Sequence, residues 1–265
     1  MPVTLPALVM ITFRLFTREV AVAATFAASV TAPLGARAQQ SEGKTLPPAP
    51  LVKLFTDWRA FQQPRVTGGV PDYTAAAMAR QAAALPAMRR RLTTIDTSGW
   101  SIAQQVDWHL IRAEMNGLDF DQRVLRPWAN NPAFYVSVFD EQSDQPAREG
   151  HQVFGSIELW QYKFPLSAAD ASTLGKQLRT VPPLLTQARR NLTGSGHDLW
   201  VMGARALHGQ EGTIAALIKE LGSAPGSVRA DADKAREATA ALATWVEQQS
   251  KTKTATSGIG IANYD

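Results

Sequence analysis

Four histidines, His109, His151, His197 and His208, are the side chains of this 265-residue sequence best suited to hold a metal or move a proton near neutral pH. None stands in H-E-x-x-H, the spacing that puts two imidazoles on one helical face beside a general base. His197 and His208 would share a helical face, but about 16 Å of axial rise separates them, too far for one metal ion. His109 lies beside the apolar face of a helix, where a hydrogen-bonded core role is expected ahead of a catalytic one. Asp107, Glu114, Asp119 and Asp121 put several carboxylates on that same helix. A pair could do acid–base work if one were desolvated. Pairing with Arg112 and Arg123 on a solvated face is the commoner arrangement. No G-x-S-x-G elbow presents a serine nucleophile. There is no cysteine, hence no thiolate, no Cys-ligated zinc and no disulfide. P-loop and G-x-G-x-x-G patterns are also absent; Gly258 and Gly260 have no helix after them to open.

The cluster that stands out is Trp128, Asn130, Pro132, Phe134 and Tyr135. Aromatic side chains beside a turn can line a ligand groove. The same residues can equally form a helix–loop junction, capped by the tryptophan and fixed by asparagine side chains, and that is the expected role.

Stretch 101–135 carries this cluster. Its first part reads as a long amphipathic helix, SIAQQVDWHLIRAEMNGLDFDQRVL, with Ile102, Val106, Leu110, Ala113 and Leu118 at roughly helical spacing. Ser101 and Gln104 form a capping box at its start. Pro127 is expected to stop it, and Asn130-Asn131-Pro132 to turn the chain. Upstream, Leu51, Leu54, Phe55, Trp58 and Phe61 fall on one helical face. A helix over about 72–95 follows, with Met78, Leu85 and Leu92 in one row and Gln81, Met88 and Ile95 in the companion row, and a kink expected at Pro86.

Downstream, 136–155 reads as an exposed loop with an optional short strand at Val136, Val138 and Phe139. Ser167 caps a helix running to about Arg179, and Pro182-Pro183 open the next. A helix over 197–221 buries Leu199, Met202, Ala206, Ile214, Leu217 and Leu221. A last one over 227–249 buries Ala235, Ala238, Leu242, Trp245 and Val246. Period-two alternation never persists over six residues. The fold class is therefore all-α, an antiparallel multi-helix domain of about seven helices with little or no strand.

Residues 1–38 have the parts of a secretory signal peptide: Arg14 and Arg18, the apolar run VAVAATFAASV, and Ala36-Arg37-Ala38 as a cleavage site. The alternative is an uncleaved anchor, although the apolar run is short for a bilayer. Expected domains are the signal, a Pro-rich leader over 39–50, a helical domain over 51–250 and a Gly-rich tail over 251–265. The location would be periplasmic or secreted, with no stable membrane anchor after cleavage. Of 27 basic and 23 acidic residues, three bases and one acid fall in the signal, so the remainder is only slightly basic. Arg89-Arg90-Arg91, the longest basic run, is expected on a solvated helix face, and nucleic acid is not an expected partner.

Two segments resemble the bacterial "domain of unknown function 885" family. Leu92-Thr93-Thr94-Ile95-Asp96 is similar to its L-x-x-I/L-D break, the helix around Asp107 to its D-x-x-x-L helix, and Trp128 through Tyr135, with Asn131-Pro132 inside, to its W-x-x-N-P-x-x-Y turn. Gly258, Gly260, Tyr264 and Asp265 resemble its G-x-G-x-x-x-Y-D segment. The resemblance implies an exported, helical, zinc-metallopeptidase-like protein about twice this length, with its H-E-x-x-H helix in a carboxy-terminal half. On that expectation this chain is the amino-terminal half and the tail opens the other. It holds no catalytic residue, metal ligand or cofactor of its own, since zinc belongs to the absent half, and it is inactive alone. It would form one wall of a cleft for a peptide or small substrate, faced by Trp128, Asn131 and Tyr135. The competing expectation is a stand-alone periplasmic helical binding or interaction protein.

Overall fold

The computed structural model describes residues 47–144 and 152–263. The expected signal peptide, most of the Pro-rich leader, His151 and the Tyr264-Asp265 pair lie outside the described residues. Helix α1 (Ala49–Gln62) opens with Pro50 in its first turn, where a missing N–H costs nothing, and buries Leu51, Leu54 and Trp58. A hairpin of β1 (Val66–Thr67) and β2 (Val70–Pro71) turns the chain. Gly68 and Gly69 both have positive φ there, which side-chain-bearing residues resist. Helix α2 (Ala75–Thr93) starts on a Thr74 cap and buries Met78, Leu85, Met88 and Leu92. It runs unbroken through Pro86, which lies on its exposed side, where water can satisfy the carbonyl that proline leaves without a donor.

Helix α3 (Ile102–Phe120) begins with the expected capping box: Ser101 accepts from the Gln104 N–H, and Gln104 accepts from the Ser101 N–H. Its buried face differs from the expected one. Ile111 and Met115 are buried and Trp108 and Leu118 half-buried against α1 and α2, whereas Ile102, Val106, Leu110 and Ala113 face outward. The helix carries two apolar stripes, and the one with the larger side chains is covered. Glu114 accepts from Trp58 Nε1 at 2.8 Å, and Trp108 Nε1 donates to the Leu92 carbonyl at 3.0 Å, which fixes the rotation of α3. The result is a small core of α1, α2 and α3.

The larger core is built mainly from the second half, with Tyr73 and Met78 reaching into it from the first. Strand β3 (Val138–Phe139) pairs in parallel with β4 (Ile157–Glu158). Helices α5 (Ala168–Leu178), α6 (Val181–Asn191), α7 (His197–Leu221) and α8 (Val228–Ser250) follow. Ser167 caps α5 by accepting from the Asp170 N–H. Helices α7 and α8 are antiparallel, their register marked by Gln210 to Thr239 and Arg229 to the Ile218 carbonyl. The face of α7 that packs is Trp200, Gly203, Ala204, Leu207, Gln210 and Ile214, and Met202, expected inside, is exposed. On α8, Ala235, Leu242 and Val246 are buried as expected, with Ala238 and Trp245 half-buried. The tail folds back over the start of α7. Its Ser257 hydroxyl accepts from the Asp198 and Leu199 N–H groups, a cap supplied from 59 residues away because Gly196 has no side chain to supply it. The chain is predominantly α-helical with two minimal strand pairs among the described residues.

Candidate functional site

The Trp128–Tyr135 corner forms because α3 cannot continue. Its last turn widens into a π-helical stretch, Asp121–Leu125, and Arg126 adopts a left-handed conformation with φ 44°. The helix ends at Arg126, immediately before Pro127, and Pro127 then opens the four-residue α4 (Pro127–Asn130). Asn130 Nδ2 donates to the Leu125 carbonyl at 2.7 Å. Asn131 Oδ1 accepts from the Ala133 N–H at 3.0 Å, which starts the 3-10 turn Pro132–Tyr135. Both asparagines serve the backbone that reverses around them.

The aromatic side chains point inward. Tyr135 is fully buried and Trp128 is 8% exposed. The Tyr135 hydroxyl donates to the Trp128 carbonyl at 2.7 Å and accepts from Asn191 Nδ2 at 3.0 Å. Asn191 also holds the Tyr73 carbonyl at 2.8 Å, and Tyr73 packs edge-on against Phe134 with ring centroids 4.9 Å apart. Burial drives the Tyr135 phenol far above its usual range and pushes Tyr73 up to about 12. Helix α7 closes over the turn at Gly203, where an added Cβ would lie 2.6 Å from Pro132 Cβ. The structure thus brings Trp128, Asn131 and Tyr135 together, but as a packed corner of the core. Tyr135 reaches no surface, so it cannot face a cleft, and Asn131 spends its carbonyl oxygen on the turn.

The remaining sequence candidates are separate. His109 is exposed, stacked edge-on against Trp108, and so is not the core histidine expected. His197 Nδ1 lies 3.1 Å from the Lys253 carbonyl and 3.2 Å from that of Ser250. His208 sits between Glu247 at 3.4 Å and Glu211 at 3.9 Å. Asp119 pairs with Arg123, as expected, while Arg112 lies over the Trp108 ring. Asp107 makes no ion pair among the described residues, and partial burial raises its carboxyl above the usual range. Among the described residues no group of three or more His, Asp or Glu could hold a metal ion.

Two features were not legible as sites in the sequence. Gln210, buried at 2% exposure, accepts from the Ser137 and Val138 N–H groups at 2.6 and 3.0 Å and donates to Thr239 Oγ1 at 3.1 Å. Its place three residues from Leu207 and four from Ile214, in the buried stripe of α7, is the signal that could have found it. The second is a cleft of about 280 Å³ between the length of α5 and the start of α8, lined by Ser172, Gly175, Arg179 and Ser227 among others. Its one cation, Arg179, is already bound to the buried Asp231 at 2.6 Å. The outward stripe of α3 stays in water: Ile102 is 76% exposed, Val106 49% and Leu110 48%. No described helix is long and apolar enough to cross a membrane.

No family model and no curated protein matches the chain. Among solved structures, it is similar to one described as a "putative lipoprotein of unknown function" from Shewanella oneidensis, at 15% identity with a TM-score of 0.51. The likeness covers 76% of this chain and 36% of that chain, so this chain spans little more than a third of the protein it matches. At that identity the likeness shows the fold alone.

Proposed function

We propose that this chain is the amino-terminal helical part of an exported metallopeptidase-like protein, a module that packs against the catalytic part and is inactive alone. The observation that carries the reading is the outward face of α3, where three large aliphatic side chains one turn apart stay in water while the opposite face is packed. A helix apolar on both faces belongs between two layers. Export rests on the signal-like pattern of residues 1–38. The wall the module offers is α3, and the Trp128–Tyr135 corner holds that wall by its end instead of lining a cleft. The alternative, a self-sufficient periplasmic binding protein, is favoured by the closed core of α5 to α8.

The experiment is to read the source DNA on both sides of this coding stretch and to assay the purified chain for peptide hydrolysis with and without zinc. A neighbouring frame encoding His-Glu-x-x-His on a helical pattern, with no hydrolysis by the chain alone, is the expected result. Hydrolysis by the chain alone, or no such frame, overturns it.

A further inference from the structure

The α3 face has a finer pattern than its three large residues. Ala103, Val106, Leu110, Ala113 and Gly117 are all exposed and recur at alternating steps of three and four. That is the spacing of a helix–helix seam, with positions that accept knobs from a facing helix. The seam is about 21 Å long at the α-helical rise, four turns. Its edges differ. Asp107 and Glu114 flank one side, and Ile102, His109 and Asn116 the other. Glu114 is held by Trp58 Nε1 and Arg59, which leaves Asp107 as the edge carboxylate without a counter-ion among the described residues.

Resting on the reading above, we propose that this seam receives one amphipathic helix from the remaining part of the larger protein, with bulky aliphatic residues opposite Ala103, Ala113 and Gly117 and a lysine or arginine opposite Asp107. Residue size and charge argue against a second copy of this chain. In an antiparallel pair centred on Leu110, Ala103 would meet Gly117 and Val106 would meet Ala113, so the two outer layers would set small residues against small ones and be poorly filled. The same pairing sets Asp107 of one copy against Glu114 of the other, twice, a like-charge juxtaposition. In a parallel pair alanine faces alanine and glycine faces glycine. A foreign helix with large residues at those layers fills the seam, and a basic edge neutralises Asp107.

The test uses two synthetic 18-residue helical peptides, each with leucine at seam-facing positions. One carries lysine on the edge that would meet Asp107, the other glutamate. Binding of each to the purified chain is read by fluorescence anisotropy of a labelled peptide. The lysine peptide should bind at least tenfold more tightly. The chain carries a net charge of +4, so non-specific attraction would favour the glutamate peptide, and the expected preference runs against it. Leu110→Glu, at an exposed position that folding tolerates, should weaken binding at least tenfold, and Asp107→Lys should reverse the preference. Equal binding of both peptides, binding of neither, or self-association in sedimentation that Leu110→Glu abolishes would each overturn the proposal. A zinc-stimulated hydrolase activity of the chain alone would overturn the functional reading and leave the peptide result standing.

Discussion

Gln210 pins the 136–139 segment to the α7–α8 pair, and its removal has a cost that can be worked from its three hydrogen bonds. In Gln210→Leu the volume is kept but both acceptor contacts vanish. The Ser137 and Val138 N–H groups, held at 2.6 and 3.0 Å, then have no partner in a site where Gln210 is 2% exposed. An orphaned buried donor costs about 1–3 kcal/mol. Thr239 Oγ1 loses a donor but still donates to the Ala235 carbonyl at 2.8 Å, so little is added there. With two such donors the expected loss is about 2–6 kcal/mol for Gln210→Leu. Gln210→Ala adds a cavity and should cost more. Urea unfolding followed by circular dichroism measures both, and hydrogen exchange at Ser137 and Val138 reports the pin directly. A Gln210→Leu loss below about 1 kcal/mol, with exchange unchanged at those two amides, would show that water or a local shift satisfies them and that the pin is not a pin.

The two stripes of α3 should separate cleanly in denaturant: Ile111→Ala is expected to cost about 2–5 kcal/mol and Ile102→Ala less than about 0.5, and reversed values would mean the helix is rotated. Gly203→Ala drives a Cβ to 2.6 Å from Pro132 Cβ and 3.0 Å from the Ala133 nitrogen, both rigid, and should destabilise by about 1–3 kcal/mol. Gly209→Ala, which meets open space, should stabilise by up to about 1 kcal/mol, so thermal melts of the pair test the close approach. Burial lifts the Tyr73 phenol to about 12 from 10.0, so its contribution to stability is full below pH 10 and falls as pH rises from 10 towards 12, because the unfolded chain ionises first. Urea midpoints between pH 9 and 11.5 should therefore fall less steeply in Tyr73→Phe than in the parent chain, and equal slopes would place Tyr73 in contact with water.

Local signals were legible in the sequence and facing was not. The span of α7, the capping box at Ser101 and the cap at Ser167 all follow from short-range chemistry, and all are found. The covered side of α3 could not be read, because Ile102, Val106 and Leu110 have as good a period as Trp108, Ile111 and Met115. The decision is made by Trp58 and Leu92, 56 and 16 positions from their partners on α3, through the indole N–H and the carbonyl they present. Met202 fails for a related reason: Gly203 beside it is what lets α7 approach Pro132, and a close approach rotates its neighbour outward. The Trp128–Tyr135 corner shows the limit for aromatic clusters. A tyrosine has an apolar body and a polar tip, and only the fold reveals that the Trp128 carbonyl and Asn191 satisfy that tip inside the core.

Two cores of unequal size also set an order of events during synthesis. The small core draws all its buried side chains from Leu51 through Met115, so its contacts are available while the later helices are still being made. The larger core waits for α8, whose Val228 to Val246 complete it. In that interval the nascent chain would show a nearly finished three-helix unit whose outer α3 face exposes Ile102, Val106 and Leu110 to water.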